Sequence, residues 1–194
     1  GQYDVVLVGG LEKMTDLPTA AVTDALASAA DTLFEIPAGF TFPGFYATMA
    51  TAYMDKYHAD PDAFLRVAIK NHENGALNDK AQFNQTIKDV MAGKKAKAEQ
   101  KGQPVPTWET EMDFLKDSKA NPMIAWPLRL FDCSPVSDGA AAVLLVSEDV
   151  VSKYTDHPIY VAGIGQASDG ALAERESLTE VPSAAKAAAQ AYEM

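Results

Sequence analysis

The sequence is poor in the side chains that most often form metal sites and disulfides. It contains one cysteine and three histidines in 194 residues. A single cysteine excludes a framework of internal disulfides and fits a reducing compartment, so we expect a cytoplasmic protein. His58, His72 and His157 have none of the spacings of a metal site, and no metal is expected. No apolar run approaches the roughly 20 residues of a membrane span, and we expect no secretory signal.

Basic residues are in the minority, and the formal net charge is -11. This charge argues against nucleic acid as a partner, because phosphate binding needs a basic face. It does not exclude an anionic cofactor at a local basic site or a helix N-terminus. Four lysines cluster at Lys94, Lys95, Lys97 and Lys101. They are either a solvated face, which we favour, or an attraction for the phosphates of a nucleotide cofactor.

Two apolar runs predict buried strands far apart in the chain. Residues 5–8 end in a Gly-Gly turn, and residues 140–146 follow a polar loop that contains Pro135 and Gly139. Neither run alternates with polar residues, which is typical of strands that are covered on both faces. Residues 158–165 alternate large and small side chains and predict a further strand.

Helical patterns fill much of the remaining chain. They cover residues 19–30, 46–57, a segment opened by Asp60-Pro61, 108–117 after Thr107, and the stretch after Pro182. Strands and helices alternate at both ends, with a long helical and loop-rich stretch between them. This order predicts an α/β fold with a large, mostly helical insertion.

Two residues are candidates for chemistry, and each has a structural alternative. His72 falls on the apolar face of the helix after Pro61, where a hydrogen-bonded core histidine is favoured over a catalytic one. Cys133 is the only thiol, and a nucleophilic cysteine needs a lowered pKa. Its neighbour Asp132 should raise that pKa, so a small buried residue is favoured. The residues alone therefore indicate an α/β domain with an insertion and no convincing nucleophile.

Three segments of the chain resemble the thiolase family, which makes and breaks carbon–carbon bonds between acyl groups on coenzyme A. They are residues 3–14 (YDVVLVGGLEKM), 70–83 (KNHENGALNDKAQF) and 133–146 (CSPVSDGAAAVLLV). The resemblance is to one branch, the archaeal acetyl-CoA acetyltransferases and the sterol carrier protein X thiolases. Residues 158–169 resemble the strand that opens the second half of that fold.

The resemblance implies a layered fold of two similar halves, of which this chain is a partial copy. Residues 1–10 would be a strand of the N-terminal half, 11–131 an inserted loop domain, 132–155 the end of that half, and 157–194 the start of the C-terminal half. The first residues read as a strand and the last as a helix. We therefore expect a central fragment of a longer enzyme.

The resemblance also implies which residues meet the substrate. The family's nucleophilic cysteine, second cysteine and histidine would lie outside this chain, so we expect no catalytic residue here and no activity of the chain alone. Coenzyme A would be a substrate, with no tightly bound cofactor. Ser134 matches the position whose hydroxyl contacts the pantetheine arm, and Gly139 and Ala140 follow it. His72 and Asn78 match positions in the loop domain and are counted with this site.

Two other functions are compatible with these motifs. The chain could belong to a catalytically inactive thiolase-like subunit that serves in binding or as a scaffold. It could also be a relative of the β-ketoacyl synthases, although the loop after Ser134 and the turn at Glu12-Lys13-Met14 favour a thiolase. The expected partners are acyl-CoA, further copies of the chain and, by resemblance, a zinc-ribbon OB-fold protein. Neither nucleic acid nor a membrane is expected.

Overall fold

Residues 2–194 are described in a computed structural model, and they contain six α-helices and four β-strands. The helices are α1 (Thr19–Ala27), α2 (Phe42–Tyr57), α3 (Asp62–Ala76), α4 (Ile87–Gln100), α5 (Glu111–Lys116) and α6 (Pro182–Tyr192). The strands are β1 (Val5–Glu12), β2 (Met123–Ala125), β3 (Leu128–Arg129) and β4 (Gly139–Val146). The mixed content agrees with the α/β class, whereas the layered arrangement and the inserted loop domain stay predictions.

The chain forms two compact units. One comprises residues 26–135, and the other comprises residues 2–25 together with 136–194. The domain borders derived from the resemblance stay predictions. No helix within residues 2–194 is long and apolar enough to cross a membrane.

The core of the 26–135 unit lies between α3, α4 and α5. Its buried side chains are Leu65, Ala68, Ile87, Met91, Phe114, Leu115 and Ala120. Helices α4 and α5 each begin with a reciprocal cap formed by a threonine and the aspartate three residues later. The threonine hydroxyl accepts from the aspartate backbone amide, and the aspartate carboxylate accepts from the threonine backbone amide. Thr110 caps α5 in this way, so the helix begins at Glu111 and not after Thr107 as predicted. Likewise α2 begins four residues before its predicted start, with Pro43 in its first turn.

The other unit contains an antiparallel ribbon of β1 and β4. The pairing runs from Val5 opposite Val146 to Glu12 opposite Gly139. Both strands were predicted from their apolar runs, but the predicted burial is wrong. Leu7 is 72% exposed and Val143 is 57% exposed. An apolar run indicates that a strand is stabilised when other elements pack on its faces. A two-stranded ribbon has no such elements and leaves both of its faces open to solvent.

Residues 158–165 form no hydrogen-bonded ladder, which corrects the strand predicted there. Their small residues instead lie against α6. A Cβ added to Gly165 would clash with the Ala187 carbonyl oxygen, and one added to Gly163 would clash with the Ala191 carbonyl oxygen. The alternation of large and small side chains therefore reflects close packing on a helix backbone, not pairing in a sheet.

Candidate functional site

The segment that contains Ser134 joins one turn of 3₁₀ helix, Leu130–Asp132, to the first residue of β4. Ser134 is exposed and belongs to the 26–135 unit. Gly139 and Ala140 are also exposed, and they open β4 in the other unit. The predicted binding residues of this motif are therefore open to a ligand in each unit. Their contact with acyl-CoA stays a prediction.

The start of this segment is fixed to the core by Asn121. Its side chain is fully buried, which is rare for an amide unless its polar atoms are satisfied. The Asn121 Nδ2 donates to the Leu115 carbonyl at 2.9 Å, and its Oδ1 accepts from the Phe131 amide at 3.0 Å. Asn121 thus connects the end of α5 to the 3₁₀ turn three residues before Ser134. Sequence reasoning gave this residue no role.

The end of the same segment is fixed by Asp138. Its Oδ1 accepts from the amides of Met14 at 2.8 Å and Thr15 at 3.0 Å, and its Oδ2 accepts from the Thr15 hydroxyl at 2.6 Å. These bonds, the Thr15 hydroxyl first, hold the pKa of Asp138 below its ordinary value. Asp138 lies within the 133–146 motif, but no role was predicted for it. No local pattern signals this contact, because its partners lie more than 120 positions away in the sequence.

His72 packs between two aromatic rings in the 26–135 unit. Its ring centroid lies 5.7 Å from that of Phe83 and 5.7 Å from that of Phe131. Its Nδ1 lies 3.0 Å from the Gln85 carbonyl oxygen. A carbonyl can only accept, so Nδ1 carries the proton in this bond. The predicted hydrogen bond is present, but His72 is only half-buried and lies outside the buried core, which corrects the core position that was favoured for it. A contact between His72 and substrate stays a prediction.

Asn78 lies in the turn that follows α3 and is exposed. Its Oδ1 accepts from the Lys80 amide at 3.0 Å, and its backbone carbonyl accepts from the Asn84 side-chain amide. Asn78 and His72 therefore both contact the loop that returns the chain from α3 to α4. The structure brings these two predicted residues to the same loop, and the role of Asn78 toward a ligand stays a prediction.

The environment of Cys133 is unsuited to a nucleophile. Burial raises the pKa of the thiol first, and the neighbouring charge of Asp132 raises it further. The Cys133 Sγ is 3.5 Å from the Arg129 carbonyl oxygen, to which it donates. Burial also raises the pKa of Asp132. The predicted effect of Asp132 on the pKa of the thiol is confirmed. The predicted burial is correct only in part, because Cys133 is half-buried.

Two of the four clustered lysines make packing contacts. Lys94 donates to the Ala120 carbonyl at 3.2 Å and lies over the Phe114 ring at 5.1 Å. Lys95 donates to the Trp108 carbonyl. Neither interpretation of this cluster anticipated that lysines of α4 would hold the segment from 108 to 120. Within residues 2–194 there is no group of three or more histidine, cysteine or acidic side chains placed to hold a metal ion.

Comparison with known proteins agrees with the motifs. The family model described as "Thiolase, N-terminal domain" matches residues 1–149. The chain therefore belongs to the thiolase family.

Individual relatives of the chain indicate which branch of that family it resembles. The chain is 37% identical over 197 residues to acetyl-CoA acetyltransferase of Methanothermobacter thermautotrophicus, covering 100% of this chain and 44% of the relative. It is 38% identical to acetyl-CoA acetyltransferase of Methanocaldococcus jannaschii, covering 100% of this chain and 43% of the relative. Sterol carrier protein 2 of Bos taurus is 26% identical over 94% of this chain and 28% of its own length. The chain thus spans less than half the length of these relatives.

A solved structure supports the fold. The Ltp2-ChsH2(DUF35) aldolase superimposes with a TM-score of 0.60 over 98% of this chain and 44% of that chain, at 24% sequence identity. This likeness concerns the backbone arrangement alone.

Proposed function

We propose that this chain is the part of an acyl-CoA C-acyltransferase that contacts the acyl-CoA substrate. The whole enzyme would make or cleave a carbon–carbon bond between acyl-CoA units through a cysteine acyl-enzyme. The observation that carries this proposal is the similarity over the full chain to two acetyl-CoA acetyltransferases, at 37% and 38% identity. Coenzyme A would enter as a substrate and not as a resident cofactor.

The exposed residues of the Ser134 segment suit this role. The Ser134 hydroxyl can donate to and accept from the amides of a pantetheine arm. Gly139 and Ala140 carry almost no side chain, so a ligand can approach their backbone closely. Asn121 fixes the turn before Ser134 within one unit, and Asp138 fixes the backbone before Gly139 within the other. Backbone that is already fixed loses less entropy when it binds a ligand. His72 and Asn78 would act by shaping the loop after α3.

The nucleophile of the reaction would come from outside this chain. Thioester exchange needs a thiolate, and the raised pKa of Cys133 keeps that thiol protonated. The chain would therefore bind and orient the acyl-CoA, while bond making takes place at a cysteine of the whole enzyme.

The same observation favours a second candidate function. A thiolase-like subunit that only binds acyl-CoA, or that serves as a scaffold, needs no activated thiol, and Cys133 is not activated. A partner protein fits both candidates, because the solved relative is named for two joined components, Ltp2 and ChsH2(DUF35). By resemblance the partner would be a zinc-ribbon OB-fold protein, and the enzyme would be a homo-oligomer.

The test replaces Ser134 by phenylalanine in the full-length protein and follows thiolysis of a 3-ketoacyl-CoA by coenzyme A. Ser134→Phe should raise KM for acyl-CoA by about tenfold and change kcat less, because a bulky ring blocks binding outside the reacting atoms. Ser118→Phe is the matched control, since Ser118 is an exposed serine in a turn of the same unit. An unchanged KM for Ser134→Phe contradicts the binding role. Binding of acyl-CoA without any thiolysis supports the subunit that lacks catalysis.

A further inference from the structure

The carboxylate of Asp138 binds three donors that all belong to one turn. The turn follows β1, and its Met14 and Thr15 amides have no place in the ladder, which ends at the pair of Glu12 and Gly139. Asp138 lies one residue before Gly139 and takes both amides on one oxygen, at 2.8 and 3.0 Å. The other oxygen takes the Thr15 hydroxyl at 2.6 Å. A side chain thus extends the pairing of the two strands past their last backbone pair.

The chemistry of these bonds makes the contact strong for an exposed group. Hydrogen bonds to an ionised acceptor are shorter and stronger than neutral ones. The same bonds hold the pKa of Asp138 down, so the carboxylate is charged across the physiological range. An exposed ion pair between Lys13 and Asp16, at 2.7 Å, flanks the same two residues in sequence and adds little to this contact.

We infer that Asp138 is a positioning residue for acyl-CoA binding. By fixing the backbone directly before Gly139 and Ala140 to the turn at Met14 and Thr15, it holds these two predicted binding residues in place. This inference rests on the proposed function, because it takes Gly139 and Ala140 as part of the binding site. Asp138 itself contacts protein atoms only, and its effect reaches the substrate through the backbone.

A positioning role requires an acceptor at this place, and the charge only strengthens bonds that a neutral acceptor can also make. In Asp138→Asn the Oδ1 can still accept from both amides, and the Nδ2 can donate to the Thr15 hydroxyl, whose oxygen also accepts. In Asp138→Ala all three bonds are lost. A positioning role therefore predicts that asparagine substitutes well for Asp138 and that alanine does not.

The experiment compares Asp138→Ala, Asp138→Asn and Asp89→Ala in the full-length protein. Asp89 is the matched control, because it is also exposed and its Oδ2 accepts from the amide and hydroxyl of Thr86, at 3.1 and 2.6 Å, at the start of α4. Asp138→Ala should raise KM for acyl-CoA about five- to tenfold with kcat within about twofold. Asp138→Asn should stay within about twofold of wild type in both constants, and Asp89→Ala should leave KM unchanged.

Hydrogen exchange at the Met14 and Thr15 amides provides a readout that does not depend on catalysis. Asp138→Ala should remove their protection, and Asp89→Ala should not. If these amides lose protection while KM is unchanged, the contact is structural and the inference is overturned. An equal rise of KM in Asp138→Ala and Asp89→Ala would also overturn it, since general destabilisation would then be the cause.

Two further outcomes have to be distinguished: misfolding of the alanine variant, and failure of the proposed function itself. If Asp138→Ala does not fold, Thr15→Val takes its place, because it removes only the hydroxyl bond. Thr15→Val should raise KM for acyl-CoA about two- to threefold. An unchanged KM in this variant would count against the inference. If the wild-type protein neither binds nor converts acyl-CoA, the proposed function fails and the inference falls with it. Wild-type binding with no effect of Asp138→Ala or Thr15→Val overturns the inference alone.

Discussion

The imidazole of His72 stacks on the phenyl ring of Phe83, with ring centroids 5.7 Å apart and ring planes inclined by 18°. The imidazole also contacts the phenyl ring of Phe131, and the planes of these two rings are inclined by 48°. Phe83 belongs to the loop between α3 and α4, and Phe131 belongs to the turn that precedes Cys133. His72 therefore joins α3 to the loop that follows it and to the 3₁₀ turn at residues 130–132, which is remote in sequence.

Substitutions at His72 should separate ring packing from hydrogen bonding. His72→Phe keeps an aromatic ring and loses the bond to the Gln85 carbonyl, so we expect a loss of about 1 kcal/mol in the free energy of unfolding. His72→Ala also loses both ring contacts, and we expect about 2–3 kcal/mol. Urea unfolding measures both values, with the exposed His157→Ala as a control that should change little. Equal losses for the two His72 variants would show that the rings contribute nothing.

The buried side chain of Asn121 should be the most sensitive polar position of the 26–135 unit. Asn121→Ala leaves the Leu115 carbonyl and the Phe131 amide without their partner, which costs about 2–4 kcal/mol of unfolding free energy. Asn71→Ala, at an exposed position of α3, should stay within about 0.5 kcal/mol. Denaturant unfolding of both variants makes the comparison, and similar values for the two would refute a structural role of Asn121.

The thiol of Cys133 should react slowly with iodoacetamide. Burial and the charge of Asp132 raise its pKa, so the alkylation rate should climb with pH through a midpoint above that of a free cysteine. Asp132→Asn removes the charge and leaves the burial, so the midpoint should fall only part of the way. The rates can be followed by mass spectrometry across the pH range. A midpoint below that of free cysteine would mean an activated thiol, and Cys133 would then have to be reconsidered as the nucleophile.

The contact of Gly165 with α6 should tolerate no side chain. A Cβ at this position would meet the Ala187 carbonyl oxygen, so Gly165→Ala must displace backbone and should cost about 1–3 kcal/mol of unfolding free energy. Gly10→Ala is the control, because a Cβ there has no neighbour within 4 Å among the described residues. Hydrogen exchange in α6 should accelerate for the first variant alone. Unchanged exchange in Gly165→Ala would mean that residues 163–165 do not pack on this helix in solution.

What could be predicted from the sequence was local. The apolar runs located β1 and β4, and Asp60-Pro61 marked the start of α3, because each pattern acts within a few residues. The motifs placed the chain in its family, which the match over residues 1–149 confirms. Ser134, Gly139 and Ala140 stay predicted binding residues.

What could not be predicted depends on partners that are remote in sequence. Asp138 bonds to Met14 across 124 positions, and no local pattern specifies such a pair. Asn121 is buried only because α5 and the 3₁₀ turn converge on it. The exposure of β1 and β4 likewise depends on whether other elements pack on their faces, and not on the composition of the strands. Residues 158–165 show the remaining ambiguity, because small residues at alternate positions suit both a sheet and close approach to a helix.

The pairing of β1 with β4 also has a consequence for synthesis on the ribosome. Because more than a hundred residues separate the paired strands, β1 leaves the exit tunnel long before its partner is translated. At about 5–20 residues per second the delay is on the order of ten seconds. During that time an apolar segment with unpaired amides is exposed on the nascent chain. A chaperone that covers β1 until β4 emerges should therefore raise the yield of folded protein.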